Sequence, residues 1–150
     1  CFAKNLPASL EFTPLADDRY VAACRYDHPL ARKTHLSWQA YFEQDYIGLD
    51  RVSGNRTLLD RELAHLTPAR PSICETRHVT TMLGMVEAGI GIAAVPAMSM
   101  PAGEHSVLRA VPLTDPVVTR TVGLIRLSGR IQSYVAAELE KLIIEQYPSG

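Results

Sequence analysis

Met85-Val86-Glu87-Ala88-Gly89-Ile90-Gly91-Ile92-Ala93-Ala94-Val95-Pro96 joins two hydrophobic patterns across a glycine. Upstream of it, Val79, Met82, Leu83 and Val86 recur at i, i+3, i+4 and i+7, which places them on one face of a helix. Gly89 stands where a helix ends in a left-handed residue, a backbone shape that glycine adopts without steric cost. Downstream, Ile90 to Val95 is a continuous apolar strand, stopped by Pro96. The Gly89-Ile90-Gly91 triplet is no dinucleotide loop, because it leads into a strand. Such a loop leads from a strand into a helix, whose free amides hold the pyrophosphate.

Working outward, the same alternation continues. Tyr20 to Cys24 reads as a strand after the polar Asp17-Asp18-Arg19, and His28-Pro29-Leu30-Ala31 closes it. Ser37 caps a short helix over Trp38 to Glu43. Tyr46 to Leu49 reads as a buried strand, followed by a polar turn from Asp50 to Asn55. Leu59, Leu63 and Leu66 then mark one face of a helix over about Asn55 to His65, ended by Pro68 and Pro71. Ser72 to Glu75 is a third brief strand. Beyond Pro96 a loop runs from Met98 to Ser106. Two extended segments, Val107 to Pro112 and Val117 to Leu127, flank the turn Thr114-Asp115-Pro116. Ile131, Val135, Leu139, Leu142 and Ile143 define a terminal helix capped by Ser128. Strands alternating with helices predict an α/β class and a mainly parallel sheet covered by helices.

Composition narrows the function. Of the 150 residues, 47% are hydrophobic and 21% charged, so the chain can bury a core and is not disordered as a whole. With 15 Lys and Arg against 16 Asp and Glu, the chain has no basic surplus for bulk nucleic-acid binding. The longest apolar stretch, Ala88 to Met98, is too short and too broken to span a bilayer, so no membrane role is expected. Cys1-Phe2-Ala3-Lys4-Asn5 has no features of an export signal. The odd, widely spaced cysteines, Cys1, Cys24 and Cys74, favour a reducing, cytoplasmic setting. The scattered histidines form no metal-ligand pair, and the chain lacks GxxxxGK[ST] and GxSxG. No catalytic pair, metal or cofactor is indicated.

Two segments carry the candidate chemistry. Glu75-Thr76-Arg77-His78 lies between a strand and the clearest helix, at a strand's carboxyl end, where open α/β sheets bind ligands. Helix amides and the helix dipole favour an anion there; Arg77 adds a bidentate grip on a carboxylate and Thr76 a hydroxyl. The same residues would also suit a plain cap by Thr76 or Glu75, with Arg77 and His78 facing water. Asp50-Arg51-Val52-Ser53-Gly54-Asn55 holds the equivalent position before the preceding helix, and it too reads alternatively as an ordinary capped loop. Together the two helix starts suggest one small-molecule pocket.

The chain resembles the effector-binding (substrate-binding) domain of LysR-type transcriptional regulators. Met85 to Pro96 is similar to that family's V-x-A-G-x-G-I-x-x-x-P segment, and His28-Pro29-Leu30-Ala31 to its recurring HPLA. Pro14-Leu15, Ser53-Gly54-Asn55-Arg56 with Leu59-Asp60, and Asp115-Pro116 with Arg120 to Ile125 follow in the family's order.

The resemblance implies a periplasmic-binding-protein-like (type 2) fold of two α/β subdomains with a cleft between them. Residues 19–116 would form the second subdomain; 1–18 and 117–150 would be a remnant and the return strand and helix of the first. It further implies effector contacts from Asp50, Arg51, Ser53, Gly54, Asn55, Thr76, Arg77 and His78, with Lys4 from the first subdomain. The expected role is ligand sensing without catalysis: a small organic, anionic effector changes the conformation of a homo-oligomeric cytoplasmic regulator. DNA would be bound only through an amino-terminal helix-turn-helix that the chain lacks. A solute-binding protein of the same fold is the rival expectation. An amino-terminal truncation is expected as well, leaving the terminal helix with an uncovered apolar stripe prone to association.

Overall fold

A computed structural model describes residues 6–103 and 106–147. It separates into two units, one of Cys1–Asp18 with Arg120–Gly150 and one of Arg19–Thr119. Strand β1 (Leu10–Arg25) carries the chain from the first into the second.

In the larger unit, Val21, Ala22, Ala23 and Cys24 are buried because β1 lies inside the sheet. It pairs antiparallel with β5 (Ile92–Pro96), Val21 opposite Val95, and with β6 (Leu108–Thr114), Ala22 opposite Val111. On one side the two-residue β2 (Leu36–Ser37) joins β6 in parallel. On the other, β3 (Tyr46–Leu49) runs parallel to β5 and to β4 (Cys74–Thr76), giving the order β2-β6-β1-β5-β3-β4. The expected mainly parallel sheet is therefore mixed. Helical crossovers impose parallel pairing on β3, β4 and β5, whereas β1 enters from the other unit with no crossover to orient it.

Helix α3 (Val79–Glu87) covers one face of this sheet, with Met82, Leu83 and Val86 packed on Val21, Ala23, Ile47, Leu49, Ala93 and Val95. Burying each large side chain there stabilises by about 1.5–3 kcal/mol. Alternate strand positions face the other way, where Tyr46, Gly48 and Ala94 meet α1 (Trp38–Phe42) and α2 (Gly54–Glu62). Gly89, at φ 76°, releases the chain from α3: its amide bonds the Val86 carbonyl, and that of Ile90 bonds Met85. Ser37 caps α1 by accepting from the Ala40 amide at 3.2 Å.

Several expected boundaries move. β1 starts ten residues before Tyr20, at Leu10, and takes in Asp17, Asp18 and Arg19. The strand tolerates Asp18, whose side chain is fully buried, because Arg120 donates to its carboxylate at 2.8 and 3.0 Å. α2 begins at Gly54 and ends at Glu62, before His65, and the strand after Gly89 begins at Ile92 rather than Ile90. The segment His28 to Ala31 is a 3-10 turn over Pro29–Arg32, with His28 Nδ1 accepting from the Leu30 amide.

In the smaller unit, β7 (Thr119–Leu127) pairs with β1. A Cβ at Gly123 would collide with the Thr13 carbonyl and the Phe12 ring, so close strand approach requires glycine there. Glu11 accepts from Arg126 at 2.7 Å and from Ser128 at 2.9 Å. Ser128 is thus a strand-end partner and not the expected cap of the terminal helix. After Gly129, at φ 71°, the cap is Ser133, which accepts from the Ala136 amide before α4 (Tyr134–Gln146). No residue of α4 is buried.

Candidate functional site

The parallel pairing of β3 with β4 sets Leu49 beside Thr76, so both strands end at one edge of the sheet and both following helices start there. The Asp50 amide donates to the Thr76 carbonyl at 2.9 Å and ties the two exits together. Ser53 and His78 occupy the two N-cap positions, yet neither side chain bonds a helix amide, and neither first turn contains an acidic residue. Both helix starts therefore present amides and a positive dipole end that no side chain of the cap neutralises.

Around this edge the expected residues fall into two groups. Asp50 organises its own turn: Oδ1 accepts from the Val52 amide at 3.3 Å and its carbonyl from the Ser53 amide at 2.9 Å. Arg77 approaches the same carboxylate, Nε to Oδ2 at 3.8 Å, while its side chain remains 67% exposed. Asp50, Arg77, Thr76, Ser53 and Gly54 are thus brought together, with His78 and Arg51 exposed beside them. Asn55 is held differently, its Oδ1 accepting from the buried Tyr20 hydroxyl at 2.9 Å, so it anchors α2 to β1. Lys4 lies outside the described residues.

Arg56 was not among the expected site residues, and it knits the edge together. Its guanidinium donates to the Leu49 carbonyl at 3.0 Å, to Asp60 at 2.7 Å and to Glu75 at 3.4 Å, joining β3, α2 and β4. Partial burial works against its charge, but the bond and charge of Asp60, then those of Glu75, hold its pKa above the ordinary value. The Arg56–Asp60 spacing of i, i+4 is a legible helical ion pair; the reach to Glu75 depends on strand pairing that no local spacing encodes.

Gly91, in the glycine-rich segment, serves packing: a Cβ there would collide with the Asp45 carbonyl, which accepts from the Ile92 amide. Among the described residues, no cluster of three His, Cys, Asp or Glu could hold a metal, and no helix is long and apolar enough to cross a membrane.

Residues 1–148 match the family model described as the LysR substrate binding domain. The HTH-type transcriptional regulator YbhD of Escherichia coli (strain K12) is 41% identical over 137 residues, covering 91% of this chain and 43% of YbhD. The chain thus spans less than half the length of this relative. The effector binding domain of QuiR, solved in complex with shikimate, superposes with a TM-score of 0.77 at 23% identity, covering 97% of this chain and 68% of that one. That of BenM, solved with its effector benzoate, gives 0.72 at 23% identity, covering 97% and 67%. At such identity these structures establish the fold.

Proposed function

The chain belongs to the LysR substrate binding domain family, and on that premise we propose that it senses a small organic anion for a transcriptional regulator. One observation carries the anionic reading: α2 and α3 start side by side from paired strands, without capping side chains or acidic first turns. A carboxylate placed there meets amides from both helices, and Arg77 supplies a charge-assisted bond on its exposed side. Ser53, Gly54 and Thr76 would add polar contacts, and Asp50 would hold Arg77 in place. Lys4, Arg51, Asn55 and His78 complete the proposed set.

Binding regulates only if the effector prefers one conformation of the regulator over another. The remaining length of relatives such as YbhD, named as HTH-type regulators, is where DNA binding would reside, in a cytoplasmic homo-oligomer. Calorimetry of the chain against a panel of carboxylates, shikimate and benzoate included, tests the site. Arg77→Ala should weaken binding by about tenfold, the loss of one charge-assisted bond, with the melting curve unchanged. Equal affinity in the variant would remove Arg77 from the site, and no binding by any carboxylate would overturn the anionic reading.

A further inference from the structure

We propose that Tyr20 is a positioning residue of the candidate site, and that its hydrogen bond to Asn55 makes strand β1 the output of that site. This role rests on the effector reading above and adds how occupancy is passed on. Ser53 gives the start of α2 no capping bond. Two consecutive side chains of the first turn hold it instead. Arg56 reaches the Leu49 carbonyl of β3 and Glu75 of β4, while Asn55 Oδ1 accepts from the Tyr20 hydroxyl of β1 at 2.9 Å.

The two anchors differ in what lies behind them. Arg56 ends on the strands beside the site. Tyr20 is buried, and its backbone is fixed on both sides: it stands opposite Pro96 of β5, and its amide donates to the Val118 carbonyl at 2.9 Å. A ring in a close-packed interior transmits a displacement and does not absorb it.

Tyr20 also stands where the chain passes from one unit to the other. The boundary falls between Asp18 and Arg19 on β1, and between Thr119 and Arg120 on β7. Asp18 and Tyr20, two positions apart on one strand, point to the same face. In the larger unit the Tyr20 hydroxyl bonds the site helix. In the smaller, the fully buried Asp18 carboxylate bonds Arg120 at 2.8 and 3.0 Å. A buried carboxylate keeps its partner, because separation would leave an uncompensated charge. A shift of Asn55 therefore passes along two peptide bonds of β1 to an ion pair that must move with it.

The coupling depends on one hydroxyl, so it can be separated from folding. Tyr20→Phe keeps the ring and removes the donor. Amide exchange in the intact chain, resolved by residue, tests the coupling without a ligand. Asn55→Ala should speed exchange at Arg120 and Thr121 of β7 by about two- to fivefold, the contribution of one neutral hydrogen bond. Asn55→Asp, which keeps an acceptor for Tyr20, should leave those rates as in the wild type. In the Tyr20→Phe background Asn55→Ala should add nothing, the non-additivity of a shared link. Sulfate, which needs only helix amides and Arg77, is the probe of occupancy. It should slow exchange at Asn55 and Arg56 in both backgrounds, and at Arg120 and Thr121 only where the Tyr20 hydroxyl is present. Site amides that ignore sulfate would count against the anionic reading alone, since the ligand-free cycle still decides the coupling. Equal effects of Asn55→Ala in both backgrounds, no effect on β7 in either, or a β7 response to sulfate that survives Tyr20→Phe would each overturn the role of Tyr20.

Discussion

Helices α3 and α4 have the same kind of apolar spacing and opposite fates. In α3 of the larger unit, Met82 and Val86 are 1% and 0% exposed. In α4 of the smaller unit, Val135 and Leu139 are 75% and 56% exposed. Helical periodicity identifies which face is apolar; it does not supply the surface that covers it. Most of the larger unit's strands and all of its helices find partners inside Arg19–Thr119, whereas in the smaller unit β7 is tied to β1 by strand pairing and by side-chain links to Glu11, Asp17 and Asp18, and no residue of α4 is buried. Stability should therefore be very unevenly divided between them.

The sharpest way to break this comparison is to place the same charge in each helix. Val86→Asp puts an unpaired carboxylate among Val21, Ile47 and Leu49, and should destabilise by more than about 4 kcal/mol, enough to abolish a cooperative transition. Val135→Asp should change stability by no more than about 0.5 kcal/mol, as for other exposed positions. Thermal melts followed by circular dichroism decide it; comparable losses in both variants would mean that α4 is as well packed as α3.

A smaller effect concerns association. Tyr134, Val135, Leu139 and Leu142 line an exposed apolar stripe on α4, which should drive concentration-dependent self-association of the isolated chain. The double variant Val135→Asp, Leu139→Glu should weaken that association by about tenfold or more in sedimentation experiments. Association that persists unchanged would shift the sticky surface elsewhere, to the exposed Ile125 and Leu127 of β7 for instance.

The sequence was most readable where local chemistry decides structure. Ser37 as a cap, the α3 face and the Gly89 exit all depend on residues within a few positions of one another. Both helix starts of the candidate site were legible for the same reason, as polar turns between a strand and a helix. Legibility failed where distant segments meet. Asp18 reads as part of a polar lead-in to the strand because its partner Arg120 lies 102 residues away, and Ser128 reads as a cap because Glu11 lies 117 residues away. Nothing local singles out Arg56, since its bond to Glu75 exists only after β3 and β4 pair. The antiparallel placement of β1 was hidden likewise, for alternation of strands and helices says nothing of a strand that arrives from another unit.

The smallest expected effect sets the two units against each other on the pH scale. In the smaller unit, the Ser128 hydrogen bond, then the bond and charge of Arg126, hold the Glu11 carboxyl below its ordinary value of 4.5. Its ionised form is the one the fold favours, so this contribution is present above that value and lost as acid protonates the folded group. Being fully exposed, the link is screened by salt and modest. In the larger unit, burial pushes the Cys24 thiol from 9.0 up to about 11, only partly opposed by Arg109. There the neutral form is favoured, so stability is intact below 9.0 and drains away as pH rises toward 11. Amide exchange resolved by segment should show β7 losing some protection first at the acid end, with Glu11→Gln showing the same small loss already at neutral pH. At the alkaline end β1 near Cys24 should lose protection, and Cys24→Ala should flatten that limb. Asp27, lowered by its Arg25 hydrogen bond, adds an acid response of its own, confined to the turn after β1. Acid sensitivity that appears uniformly in β5 and α3 as well as in β7 would show that the two units unfold as one.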